Sequence, residues 1–111
     1  MLHLFYVPST MPNGKEFQTT FHMDFDIAEH YGINAVKDTF RRAFDSWMND
    51  IKFMTELCIV MNNRCWFWHD KGNTELSELY ADYYYQVKDY VYSDDSVFSE
   101  EDQSYFFEMT D

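Results

Sequence analysis

Glycine, proline and cysteine are scarce in this chain: three, two and two among 111 residues. So few breakers leave little room for loops and point to long regular elements. Two cysteines exclude a disulfide scaffold, which needs a dense set of them. No apolar run approaches the roughly 18–20 residues needed to cross a bilayer. Gly14, Gly32 and Gly72 fall at turns or helix ends, and there is no phosphate-cradling loop, dinucleotide fingerprint or Gly-x-Ser-x-Gly elbow. Basic residues are scarcest near the C-terminus. Residues 74–111 hold 11 acids against Lys88 alone, net −10, whereas residues 1–73 hold nine acids and seven bases, net −2.

What is abundant is aromatic. Phe 11, Tyr 9 and Trp 3 make 21% of the chain, and 46% is hydrophobic, enough for a packed core despite a net charge of −12. The length suits a single domain over residues 1–111. The opening Met1–Val7 lacks a basic n-region and a long apolar h-region, so it reads as a strand rather than a signal peptide. Few cysteines and no targeting pattern lead to the expectation of a cytoplasmic protein without cofactors.

Residues 2–7 read as a first strand ended by Pro8, followed by a turn-rich loop, Ser9–Gly14. Phe17, Thr19, Phe21, Met23 and Phe25 alternate with polar residues, which predicts a second strand and a hairpin with the first. Asp26 is placed to cap a short helix, Ile27–Tyr31, stopped by Gly32. Asn34 is placed to cap a longer one over about 35–49, with Val36, Phe40, Ala43, Phe44 and Trp47 on one face. Ile51, Phe53, Thr55, Leu57, Ile59 and Met61 alternate again, predicting a third strand. Asn62-Asn63 suits a hairpin loop and Arg64–His69 a fourth strand. Asn73 or Thr74 caps a helix over about 74–92, burying Leu76, Leu79, Tyr80, Tyr83, Val87, Tyr90 and Val91. Ser99 caps a last helix, docked by Tyr105, Phe106 and Met109. The order ββααββαα predicts an α+β domain: a four-stranded, mainly antiparallel sheet of two hairpins with helices on at least one face.

The strongest functional signal lies on the 74–92 helix. Glu75, Glu78, Asp82 and Asp89 project within about 60° of one another, opposite the buried stripe. They span roughly 21 Å at about 1.5 Å per residue. Asp94, Asp95, Glu100, Glu101 and Asp102 extend the line, and Tyr85 and Tyr92 sit at its margin. A solvated helix face explains such acids cheaply. Against that, salt-bridged helices place Lys at i+4, and here none does. The expected partner is a basic protein surface, such as that of a nucleic-acid-binding protein. The same charge argues against direct binding to nucleic acid or an anionic membrane. The one basic patch, Lys37, Arg41 and Arg42, is expected to pair with Asp38, Asp45 or the acidic helix.

Two weaker constellations remain. His22, Asp24 and Asp26 share one face of the predicted second strand and offer donors for a divalent metal or a His–Asp base. An exposed strand face explains them as well, although Glu29 and His30 follow closely. Cys58, Cys65 and His69 lack the tight Cys-x-x-Cys spacing of structural zinc sites and read as core thiols. A mostly apolar sheet face offers a third role, as a homodimer interface.

In size, charge and aromatic content the chain is similar to small acidic accessory proteins of phages and conjugative elements. Several of those mimic DNA to block restriction or CRISPR enzymes. The resemblance covers no alignable motif. It implies a non-enzymatic inhibitor of a nucleic-acid-binding host protein. The alternatives are a small metal-dependent enzyme using His22, Asp24 and Asp26, and a structural dimerisation module.

Overall fold

Three short polar residues, Asp50, Asn73 and Ser99, each stand ahead of a helix and cap it. In the computed structural model, which describes residues 14–110, the elements are α1 Gly14–Tyr31, α2 Ile33–Trp47, α3 Ile51–Asp70, α4 Thr74–Tyr92 and α5 Glu100–Thr110. The Asp50 carboxylate accepts from the backbone N–H of Lys52 and Phe53 at 3.0 and 3.2 Å. Asn73 accepts from Leu76 N–H at 3.1 Å, and Ser99 accepts from Asp102 N–H at 3.1 Å. These bonds satisfy N–H groups that the first helical turn leaves without partners. Gly32 ends α1 with φ 118°, where a side chain would be strained, and its N–H donates to Ala28 C=O at 3.1 Å.

The α+β expectation is overturned: among the described residues the chain is all helical, with no strand. The predicted second strand and the short helix Ile27–Tyr31 are one continuous helix, α1, so Asp26 lies mid-helix and caps nothing. The predicted third strand, the Asn62-Asn63 hairpin loop and the fourth strand are all α3. The longer helix starts at Ile33, with Gly32 rather than Asn34 at its N-cap. The first predicted strand, residues 2–7, and its loop up to Asn13 lie outside the described residues. With no sheet among the described residues, the apolar sheet face expected to mediate a homodimer is also absent.

Packing explains both misreadings. Helix α3 is the centre of the fold, touching α1, α2, α4 and α5. Every residue from Phe53 to Cys58, then Val60 and Met61, is buried. A helix buried all round loses the 3.6-residue periodicity of an amphipathic one, and a chance alternation then stands out. In α1, Phe21 and Phe25 are four apart, a spacing that fits a helix face as well as every second inward position of a strand. Both are buried with Ala28, whereas Met23 is 59% exposed. A strand would have turned Met23 inward with them.

The core is largely aromatic. Phe40 of α2 stacks flat on Tyr83 of α4 at 3.8 Å, and Trp47 of α2 stacks on Phe53 of α3 at 3.8 Å. Phe106 docks α5 and is fully buried, with Tyr92 edge-on to it at 5.5 Å. Tyr105 is half-buried, and Met109 stays exposed. Gln103 also ties α5 down, donating to Val91 C=O at the end of α4 at 2.9 Å. No described helix is long and apolar enough to cross a membrane.

Candidate functional site

Helix α4 lies against α3 along its length, with Tyr80, Tyr83, Val87 and Val91 buried and Leu76, Leu79 and Tyr90 half-buried. Fixing that face inward turns the opposite one to solvent. Glu75, Glu78, Asp82, Tyr85 and Asp89 are all exposed there. Asp94, Asp95, Glu100 and Glu101 are exposed beyond the helix, and Asp102 is half-buried. None of these acids takes part in an ion pair among the described residues. Arg41 and Arg42 instead turn back onto Asp38 of their own helix, at 2.7 and 2.9 Å. Lys88, the one base in this region, donates to the Tyr84 hydroxyl at 3.2 Å.

Position within the helices separates acids that stabilise from acids that do not. Glu100, Glu101 and Asp102 occupy the first turn of α5, where negative charge favours the positive dipole end. Glu75 does the same for α4. Asp89 sits in the last turn of α4, the wrong end for an acid, and no base is there to offset it. Glu78 and Asp82 form an i, i+4 pair of like charge, which costs a few tenths of a kcal/mol. Helix stability therefore does not account for Glu78, Asp82 and Asp89.

A second arrangement was not foreseen from the sequence as a unit. Arg64, on α3, is only 7% exposed and sits in a cage of acceptors from α1. Its Nε and Nη2 donate side-on to the two oxygens of Glu29, at 2.8 and 2.6 Å. Nη2 also donates to Asp26 at 2.6 Å, and Nη1 reaches His22 Nδ1 at 3.0 Å. A guanidinium cannot accept, so Nδ1 is the acceptor and the His22 proton sits on Nε2. Glu29 accepts further from Trp68 Nε1 at 3.0 Å and from the Tyr80 hydroxyl. The network thus ties α1 to α3 and α4.

The protonation states follow. Burial opposes the charge on Arg64, but the bonds to Glu29 and Asp26 outweigh it and hold the guanidinium above its ordinary value. Burial, then the bond to Glu29, pushes the Tyr80 hydroxyl up. Burial, then the adjacent guanidinium, lowers His22. A cavity of about 230 Å³ opens over this cluster, lined by His22, Asp26, Asn63, Arg64 and Phe67. The remaining Nη1 N–H faces the His22 carbonyl at 3.4 Å, so Arg64 has no donor left over for a bound anion and the arrangement is a structural clamp.

The His22, Asp24 and Asp26 triad is dispersed, because on a helix Asp24 points away from the other two and is buried at 5% exposure. His22 and Asp26 do converge, but on Arg64, which fills the place a cation would take. No group of three or more metal-ligating side chains exists among the described residues. Cys58 is buried and Cys65 half-buried, about two turns apart on α3, and no disulfide joins them. Cys65 lies 3.7 Å from the Ser77 hydroxyl, a core contact.

The signal that would have found the clamp was present. His22, Asp26 and Glu29 stand at i, i+4 and i+7, one face of a helix, and Arg64 is the one Asp, Glu, Lys or Arg between Glu56 and Asp70. Reading α1 and α3 as strands placed them apart. No family model matches the chain, and no similar protein was found among curated proteins or among solved structures.

Proposed function

We propose that the protein is a non-catalytic interaction protein that engages a basic protein surface through the exposed acidic face of α4. One observation carries the reading: Glu78, Asp82 and Asp89 are exposed together, without an ion pair among the described residues, at positions where they cost helix stability. An attractive partner supplies the missing compensation. The four carboxylates from Glu75 to Asp89 are on average about 7 Å apart along the helix axis. A DNA strand carries a phosphate every 3.4 Å or so, about two for each carboxylate. That spacing supports a partner surface built for nucleic acid, as in a restriction or CRISPR enzyme. The protein would then occupy the partner's nucleic-acid channel and inhibit it.

The test is capture of basic proteins from host lysate at low and high salt, using the wild type and the variant carrying Glu78→Lys, Asp82→Lys and Asp89→Lys. Capture should fall steeply with salt and disappear in the variant. Duplex DNA should displace the protein from any captured nucleic-acid-binding enzyme. Capture that survives the three reversals would reduce the acidic face to a solubilising surface.

A further inference from the structure

Beside the acidic face, α3 and α4 enclose a cavity of about 210 Å³ lined by Asn62, Cys65, Trp66, Ala81, Tyr84 and Tyr85. Three of these six side chains, Trp66, Tyr84 and Tyr85, are aromatic. Tyr84 and Tyr85 stand edge to face, 5.2 Å apart at 73°, so they form two adjacent sides of a box. Trp66 comes from the opposite helix. Trp66 and Tyr85 remain 58% and 61% exposed, among the most exposed large apolar side chains of the described chain. Such rings are costly to leave in water together and are characteristic of binding sites.

The chain's own lysines show what these rings attract. Lys88 Nζ lies 5.1 Å over the Tyr84 ring, and Lys71 Nζ lies 5.5 Å over Phe67. Among the described residues no cation lies over Trp66 or Tyr85. Tyr85 also borders the acidic stripe. On the helix projection it falls about 20° from Glu78 and about 40° from Asp89. A basic segment laid along the carboxylates therefore passes the mouth of this cavity.

We propose that the cavity is an arginine pocket for the basic partner. A partner guanidinium enters between Trp66 and Tyr85, donating to Asn62, while neighbouring bases lie along Glu75, Glu78, Asp82 and Asp89. Arginine fits better than lysine. Its guanidinium is planar, stacks on aromatic faces and is weakly hydrated, so it enters a largely apolar box at lower desolvation cost. The inference rests on the acidic-face reading above and adds to it a preference between the two bases, which charge alone does not give.

Binding of octa-arginine and octa-lysine peptides, followed by calorimetry and by tryptophan fluorescence at low salt, tests it. The protein should bind octa-arginine more tightly than octa-lysine. The double variant Trp66→Leu, Tyr85→Leu keeps apolar bulk at two exposed positions, and circular dichroism confirms its helicity. It should lose roughly 5- to 30-fold in octa-arginine affinity, the range expected from one or two lost cation–π contacts. Octa-lysine affinity should change far less. Equal affinity of the wild type for both peptides, or an arginine preference that persists in the double variant, would overturn the pocket and leave the acidic face standing. If neither peptide binds the wild type, both readings fall.

Discussion

Replacing Arg64 with methionine tests whether the buried clamp holds the helices together. The change removes the donors to Glu29, Asp26 and His22 while keeping an unbranched, apolar side chain of similar reach. Asp26 is 67% exposed, so it returns to water at little cost. Glu29 is only 10% exposed and cannot do so. It keeps two donors, Tyr80 and Trp68, but loses its countercharge. Breaking a buried pair typically costs about 3–5 kcal/mol, and the two surviving bonds place this case near the lower end, at about 3 kcal/mol. For a domain of this size that lowers the thermal midpoint by roughly 10 °C. Adding Glu29→Met should not add a second full loss, because no unpaired charge remains. The Tyr80 hydroxyl and Trp68 Nε1 are then orphaned, each costing about 1–3 kcal/mol. Urea unfolding followed by circular dichroism gives all the required values. The two single losses should sum to at least about 2 kcal/mol more than the loss in the double variant. Simple additivity, or an Arg64→Met loss below about 1 kcal/mol, would refute the clamp.

Three further outcomes follow from buried polar groups. Glu56 is 1% exposed with Gln18 donating at 2.6 Å, and burial, only partly offset by that bond, raises its pKa. The fold therefore favours its protonated form. Its contribution is full below the ordinary value of 4.5 and is lost as pH rises through the raised one, so Glu56→Gln should increase the urea midpoint at neutral pH but not in acid. His22 has the opposite sign. Its lowered pKa favours the neutral ring, so its contribution is present above 6.5 and lost as pH falls toward the lowered value; His22→Gln should flatten that acid decline in the urea midpoint. Thr39 is fully buried and its hydroxyl has no partner among the described residues, so Thr39→Val should raise stability by about 1 kcal/mol in the same assay.

Where capping chemistry and amphipathic periodicity agreed, the sequence was legible. Asn73, Ser99 and Gly32 mark the helix ends they were expected to mark, and the buried stripe of α4 includes Tyr80, Tyr83, Val87 and Val91 as projected. The other half of the fold was hidden because α3 has no solvent face over its first ten residues beyond Lys52 and part of Ile51 and Ile59. Alternation from Ile51 to Met61 therefore carried no information about strand geometry. Length was the better guide: Ile51–Asp70 runs 20 residues without glycine or proline, far beyond an ordinary strand. Asn62 and Asn63 are good turn formers, but tertiary packing on both sides holds them in a helix. Glu75, Glu78, Asp82 and Asp89 share one exposed face because α4 is amphipathic. The Arg64 clamp and the aromatic cavity were not seen because each needs α3 to be a helix beside its neighbours.

The charge segregation is a property of the fold as well as of composition. The arginines available to neutralise α4 are engaged elsewhere: Arg41 and Arg42 by Asp38 on α2, and Arg64 by the buried Glu29 and by Asp26. Lys71 and Lys88 lie over aromatic rings. Each of these cations is thus satisfied locally, and the acids of α4 face solvent without an ion pair among the described residues. A chain selected only for solubility gains as much from scattered acids, and gains more from acids placed where helix dipoles favour them. Asp89 and the Glu78–Asp82 pair are placed against that preference. Salt separates the two consequences of this arrangement. Screening relieves repulsion along α4 and so stabilises the free protein, while the same screening weakens attraction to a basic partner. A fold that tightens and a complex that loosens over one salt range is the behaviour expected of an acidic face that serves binding at the expense of stability.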